Sequence, residues 1–230
     1  MEPLILLLIP LLPLAVAIGL TLVQAGKVNF FRQAILATTT LCLAGTLFLF
    51  VRFPTTGEGG YHFVTSIPWL PALGIQYQVG VDGIGLTLVL LHALVSTAGA
   101  FVSLWIRDRV KEYSVFYLLL VSSIYGVFTS LDLFFLYLFY EMSVIPMYPL
   151  IGIWGSRGKE YASMKLTVYI TAGAVLALAG ILCFYSAAGL GTFDLIAIRQ
   201  ILGPALPAPI ESMWLERDAR TRLELRREEA

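Results

Sequence analysis

The sequence predicts an all-α polytopic membrane protein of about six transmembrane helices. Two observations carry this. Of 230 residues, 58% are hydrophobic and only 13% charged, with mean hydropathy +0.84. Six apolar runs each reach the roughly 20 residues that a helix needs to cross a bilayer. Fifteen basic and 15 acidic residues cancel to zero net charge, and before residue 200 they sit almost only at the ends of those runs. Nucleic-acid binding is excluded, because the arginines of the C-terminal tail alternate with acids and form no basic patch.

The helices are expected at about 3–23, 31–51, 82–106, 113–130, 131–154 and 161–188, within one membrane domain over residues 1–200. The first run has no Lys or Arg before Lys27, so it lacks the basic region of a signal peptide and reads as a retained helix. Residues 52–81 alternate β-formers with Gly and Pro. They predict a hairpin between HFVTSIPWL and IQYQVGV. Asp82 and Asp132 stand where helix N-caps belong. Residues 201–230 read as a Pro-rich linker and a charged tail. Cys42 and Cys183 lie inside apolar runs with no metal or redox spacing, and read as packing residues. Gly173, Ala177 and Gly180 make a small-residue face suited to close helix packing.

Loop charge predicts orientation. The 1–2, 3–4 and 5–6 loops carry Lys27, Arg32, Arg107, Arg109, Lys111, Arg157 and Lys159. These loops should be cytoplasmic and the N-terminus outside. The tail, with Arg217, Arg220, Arg222, Arg226 and Arg227, would then face the wrong side.

Glu141 is the leading functional candidate. A carboxyl near the middle of a membrane helix costs ~3 kcal/mol or more, and its usual uses are proton relays and ion paths. The alternative is a structural carboxyl paired with a helix of another subunit. Tyr137 and Tyr148 share its face at helical spacing. Pro146 and Pro149 lack the N–H groups that would bond the carbonyls of Met142 and Ile145, so a hydrated pocket is expected beside them. Lys165, flanked at i±4 by Tyr161 and Tyr169, is either a relay residue or a snorkelling cation. It is expected ~12 Å from Glu141 in depth, too far for a direct ion pair. His92 reads first as an interhelical hydrogen bond and second as part of a polar path. Ser122, Tyr125 and Thr129 form a polar stripe that could face the same pocket as Glu141. No dinucleotide motif, cysteine cluster or metal-ligand set is present in the sequence.

The stretch YEMSVIPMYPLIGIWGSRGKEYASMKLTVYITAG (Tyr140–Gly173), with GVDGIGLTLVLL (Gly80–Leu91) and TFDL (Thr192–Leu195), resembles the M subunit of NADH–quinone oxidoreductase, respiratory complex I. The resemblance covers roughly residues 1–200. The sister subunits L and N, and Mrp-type cation/proton antiporter subunits, share the architecture. The resemblance implies an antiporter-like, proton-translocating subunit of a bacterial inner membrane, partnered by L-like and N-like neighbours and the lipid bilayer. It implies that Glu141 is the key carboxyl of the ion path and Lys165 a supporting residue. It implies no cofactor on this chain, with NADH, FMN, iron–sulfur clusters and quinone handled elsewhere in the complex.

The family has about fourteen helices, and the lysine that partners the glutamate lies beyond the six found here. A truncated chain is the expectation, with a split subunit or a frameshift as alternatives. In isolation it is expected neither to pump protons nor to reduce quinone. A non-transporting structural module is the remaining reading.

Overall fold

The computed structural model describes residues 2–24, 26–54, 60–188 and 191–202. The tail arginines and Pro204, Pro207 and Pro209 lie outside the described residues. The chain falls into two units, Met1–Leu195 and Ile196–Ala230. Of the second, only the end of a short helix is described.

Six helices are long and apolar enough to span a membrane. They are α1 (Glu2–Leu22), α2 (Val28–Arg52), α3 (Gly83–Ser103), α4 (Val110–Thr129), α5 (Leu133–Trp154) and α6 (Lys159–Ala188). A seventh helix, α7 (Leu195–Leu202), has no counterpart in the sequence prediction. Two strands, β1 (His62–Leu70) and β2 (Ile75–Val81), pair antiparallel.

The caps explain where several helices start. Asp82 is extended and its Oδ1 accepts from the N–H of Gly85 at 2.6 Å, opening α3. Asp132 accepts from the N–H groups of Phe134 and Phe135, opening α5. Each fills orphan donors of a first turn. α3 stops at Ser103, short of the expected 106. The next residues turn, and the Arg32 guanidinium donates to the Ile106 carbonyl at 2.9 Å.

α1 carries Pro10 and Pro13 without ending. Pro13 has no N–H for the Ile9 carbonyl, and the Cys42 thiol of α2 donates to that oxygen instead, at 3.7 Å. The Ser122 hydroxyl of α4 donates to the Pro10 carbonyl at 2.6 Å. A proline-broken ladder inside a membrane is tolerated when neighbouring helices supply partners in this way. Cys42 therefore does more than pack.

The hairpin forms as the sequence predicts, but β2 is no solvated loop. All of β2 except Gln76 is buried. Leu131, between α4 and α5, donates its N–H to the Gln78 carbonyl at 2.8 Å, and Ser130 bridges Val79. The same junction takes up a distant segment. Leu133 donates to the Phe193 carbonyl at 3.0 Å, and Leu195 to that of Leu131 at 2.9 Å. Gly74, at the hairpin tip, has φ +67°, and a Cβ there would lie 2.0 Å from the Gly191 carbonyl oxygen. Only glycine fits that turn.

The core joins Leu6, Leu49, Val79, Leu86, Val121, Tyr125, Phe135 and Phe139. A second cluster, around Phe31, Ile35 and Leu118, lies along α1, α2 and α4. Lipid offers no hydrophobic drive between helices, so close van der Waals approach must hold them. Gly126 of α4 lies so close against the Phe139 ring of α5 that a Cβ there would overlap it. α6 packs on α5 along one side only. Val168, Val175 and Leu176 are 60% or more exposed, and a Cβ at Gly173 or Gly180 would meet nothing within 4 Å. The small-residue face of α6 thus has no partner helix among the described residues.

Candidate functional site

α5 and α6 present facing stripes. On α5 the stripe is Phe134, Tyr137, Leu138 and Glu141. On α6 it is Leu178, Ile181, Leu182 and Tyr185. Each repeats at i, i+3/i+4 and i+7, one face of a helix. The two enclose a cavity of about 490 Å³. From Phe134 to Glu141 it runs about 10 Å along α5. Leu73 and Ile75 of the hairpin and Phe193 complete its walls. Phe193 stacks on Tyr185 with ring centroids 4.2 Å apart.

Nearly everything lining this cavity is apolar. Glu141 is the exception, and its Oε1 is buried with no hydrogen-bond partner. Tyr137, one turn earlier, interacts electrostatically with the Glu141 carboxyl. A carboxyl oxygen left unpaired in an apolar cavity is costly, and a water or another donor in the cavity would satisfy it.

The structure brings Tyr137 to Glu141 and places the other candidates elsewhere. Tyr148 is 47% exposed and does not line the cavity. Pro146 is buried within α5, which continues through it and Pro149 to Trp154. The cavity lies on the side of Glu141 away from the prolines. Lys165 is exposed, its ammonium over the rings of Tyr161 and Tyr169 at 5.7 and 5.8 Å. It faces away from the cavity, on the uncovered side of α6.

His92 makes an interhelical bond, its Nε2 3.1 Å from the Val121 carbonyl oxygen, and stands edge-on to Tyr125. The α4 stripe also points elsewhere. Ser122 serves α1, Tyr125 is fully buried and Thr129 bonds the Tyr125 carbonyl.

Sequence reasoning missed Tyr185, Phe193 and the hairpin tip as cavity walls. The TFDL segment was the one available pointer.

Near the cavity's hairpin end sits Asp132, whose Oδ2 also accepts from the Gln76 N–H at 3.2 Å. Burial pushes its carboxyl above the ordinary 3.8. Backbone donors from Gln76, Phe135 and Phe134 oppose this, and the neighbouring Asp194 charge adds to the rise.

Residues 130–216 match the family described as "NADH:quinone oxidoreductase/Mrp antiporter, TM". Over 212 residues the chain is 34% identical to NADH-quinone oxidoreductase subunit M of Rhodobacter capsulatus, spanning 90% of this chain and 40% of that protein. Over most of its length the chain is similar to M-type, antiporter-like membrane subunits. Subunit M of Rickettsia conorii is 32% identical over 179 residues, 77% of this chain and 36% of its own. The chain thus spans well under half the length of these M-type relatives. A chain of respiratory complex I from Thermus thermophilus has the same fold, with TM-score 0.67 at 24% identity. The match covers 84% of this chain and 38% of that one.

Proposed function

We propose that this M-type chain contributes to proton translocation in an NADH–quinone oxidoreductase, with Glu141 as the group that takes up and releases the proton. The observation that carries this is the Glu141 oxygen, buried and unpaired at one end of an apolar cavity. An intramembrane carboxyl is expensive, and its commonest use is a relay. Tyr137 steadies the carboxyl, and the walls of Phe193 and Tyr185 separate it from water on the hairpin side. Lys165, on the outer face of α6, serves a path completed by further polypeptide. The role of His92 is positioning, by joining α3 to α4.

The membrane is a bacterial inner membrane, with the N-terminus outside and the 1–2, 3–4 and 5–6 loops in the cytoplasm. L-like and N-like subunits are the partners. This chain binds no cofactor, and NADH, FMN, iron–sulfur clusters and quinone belong to other subunits. Alone it is expected not to pump, because among the described residues no helix covers the outer face of α6.

The test is NADH-driven proton uptake in membrane vesicles, comparing wild type with Glu141→Gln, beside a blot for the assembled complex. Loss of uptake with assembly intact supports a relay. Lost assembly identifies a structural carboxyl instead. An Mrp-type antiporter, a member of the same matched family by its description, would show sodium-dependent transport without NADH.

A further inference from the structure

A second cavity, also about 490 Å³, lies at the end of the bundle that carries the basic loops. It sits between α4, α5 and the start of α6. Its inner wall is apolar, from Leu120, Leu150 and Ile151. Trp154 stands at its edge, against Tyr113 at 5.3 Å between ring centroids. Two cations, Arg157 and Lys159, complete the lining, and no carboxylate does.

The polar groups here are unevenly used. The Trp154 ring N–H donates to the Asp108 carbonyl at 2.9 Å, which fixes the indole. Tyr113 and Tyr117 are bonded to Ser103 and to the Ser96 carbonyl. Lys159 gives one N–H to the Ile153 carbonyl and keeps two. Arg157 is exposed, and its guanidinium has no hydrogen-bond partner among the described residues.

The site therefore pairs an apolar slot with unspent positive charge at the mouth. Aromatic rings beside it mark the level of the lipid headgroups. A purely soluble anion would use the cations and waste the slot. A neutral lipid tail would use the slot and waste the cations. An anionic phospholipid uses both, and basic pockets between membrane helices take such headgroups.

We propose that this cavity binds one anionic phospholipid. Its phosphate lies between Arg157 and Lys159, and an acyl chain follows Leu120, Leu150 and Ile151. The guanidinium suits phosphate because its donors lie in one plane and engage two oxygens together.

Native mass spectrometry tests this. The chain is purified from vesicles holding phosphatidylglycerol and phosphatidylethanolamine in equal amounts. One phosphatidylglycerol should remain bound, preferred by more than tenfold, since each cation near the membrane surface contributes about fivefold. Arg157→Gln should cut the preference about fivefold. Arg109→Gln, on an exposed residue outside the cavity, should leave it unchanged. Leu150→Trp, which fills the slot and keeps both cations, should lower retention as well. Melting curves check that each variant is folded. Equal retention of the two lipids overturns the proposal, as does a preference that Arg157→Gln does not move. Displacement by millimolar inorganic phosphate also overturns it, because the site would then take a soluble anion.

Discussion

Replacing Gly126 with alanine sets helix propensity against packing. A Cβ at this position would lie 2.2, 2.3 and 2.6 Å from three ring atoms of Phe139. Carbon atoms prefer about 3.5–4.0 Å, so at least ~1.3 Å must open somewhere. The ring is buried and touches Tyr77 and Phe135, so it cannot swing freely. Overpacking of this kind costs about 1–3 kcal/mol, and an overlap with ring carbons argues for the upper end. Alanine returns about 1 kcal/mol over glycine inside a helix. The expected net loss is about 2 kcal/mol, a fall of roughly 4–8 °C in Tm for a chain of this size.

The decisive experiment is a double-mutant cycle in detergent, followed by circular dichroism. Phe139→Ala alone should destabilise by about 3–5 kcal/mol. In that background the added methyl has room, and Gly126→Ala should raise stability by about 1 kcal/mol. The sign of one substitution thus reverses with the partner. A Gly126→Ala protein that melts higher than wild type would refute the close approach of α4 and α5. Equal effects in both backgrounds would do the same.

Cys42→Ala should cost about 1 kcal/mol, because it strands the Ile9 carbonyl that Pro13 leaves free. Cys42→Ser should recover most of this, and thermal melting of the pair checks it. Asp132 gives a pH dependence. Its folded carboxyl lies above the ordinary 3.8, so its favourable contribution is full below 3.8 and fades as pH rises through the raised value. Asp132→Asn caps without titrating. The Tm difference between variant and wild type should therefore move in the variant's favour from pH 3 to pH 7, and a flat difference would contradict the burial argument. Phe193→Ala should open the Glu141 cavity on the hairpin side. A water-soluble carbodiimide should then label Glu141 several-fold faster, read by peptide mass spectrometry.

Much of the architecture was legible because it rests on local signals. Runs of apolar residues long enough to cross a bilayer marked all six membrane helices, and a carboxylate before each of two runs marked Asp82 and Asp132 as caps. Alternation on either side of a Pro/Gly turn marked the hairpin. The candidate site was only half legible. Composition singled out Glu141, and helical spacing placed Tyr137 beside it. The same spacing misplaced Tyr148, because a helical face fixes an angle and not the neighbour that covers it. α6 faces α5 at Glu141, while Tyr148 remains exposed. Lys165 stayed open between relay and snorkelling cation, since flanking tyrosines suit a surface cation as well as a polar path. The burial of β2 and the closing role of Phe193 depend on pairing across the whole chain, which no local pattern encodes.

The walls around Glu141 are made at different times. α5 is complete long before residue 193 exists, yet Phe193 and the contact of Thr192 with Gly74, 118 residues apart, close the hairpin end of the cavity. At about 5–20 residues per second of synthesis, the 52 positions from Glu141 to Phe193 take roughly 3–10 s. For that interval the carboxyl has its α5 wall and no lid. The junction at Leu131 and Leu133 waits with it, holding donors and an acceptor for a segment not yet synthesised. The hairpin end of the cavity therefore forms only after α1 to α6 have been synthesised. Translation speed through residues 141–195 sets how long a titratable group meets lipid and water before its surroundings are sealed.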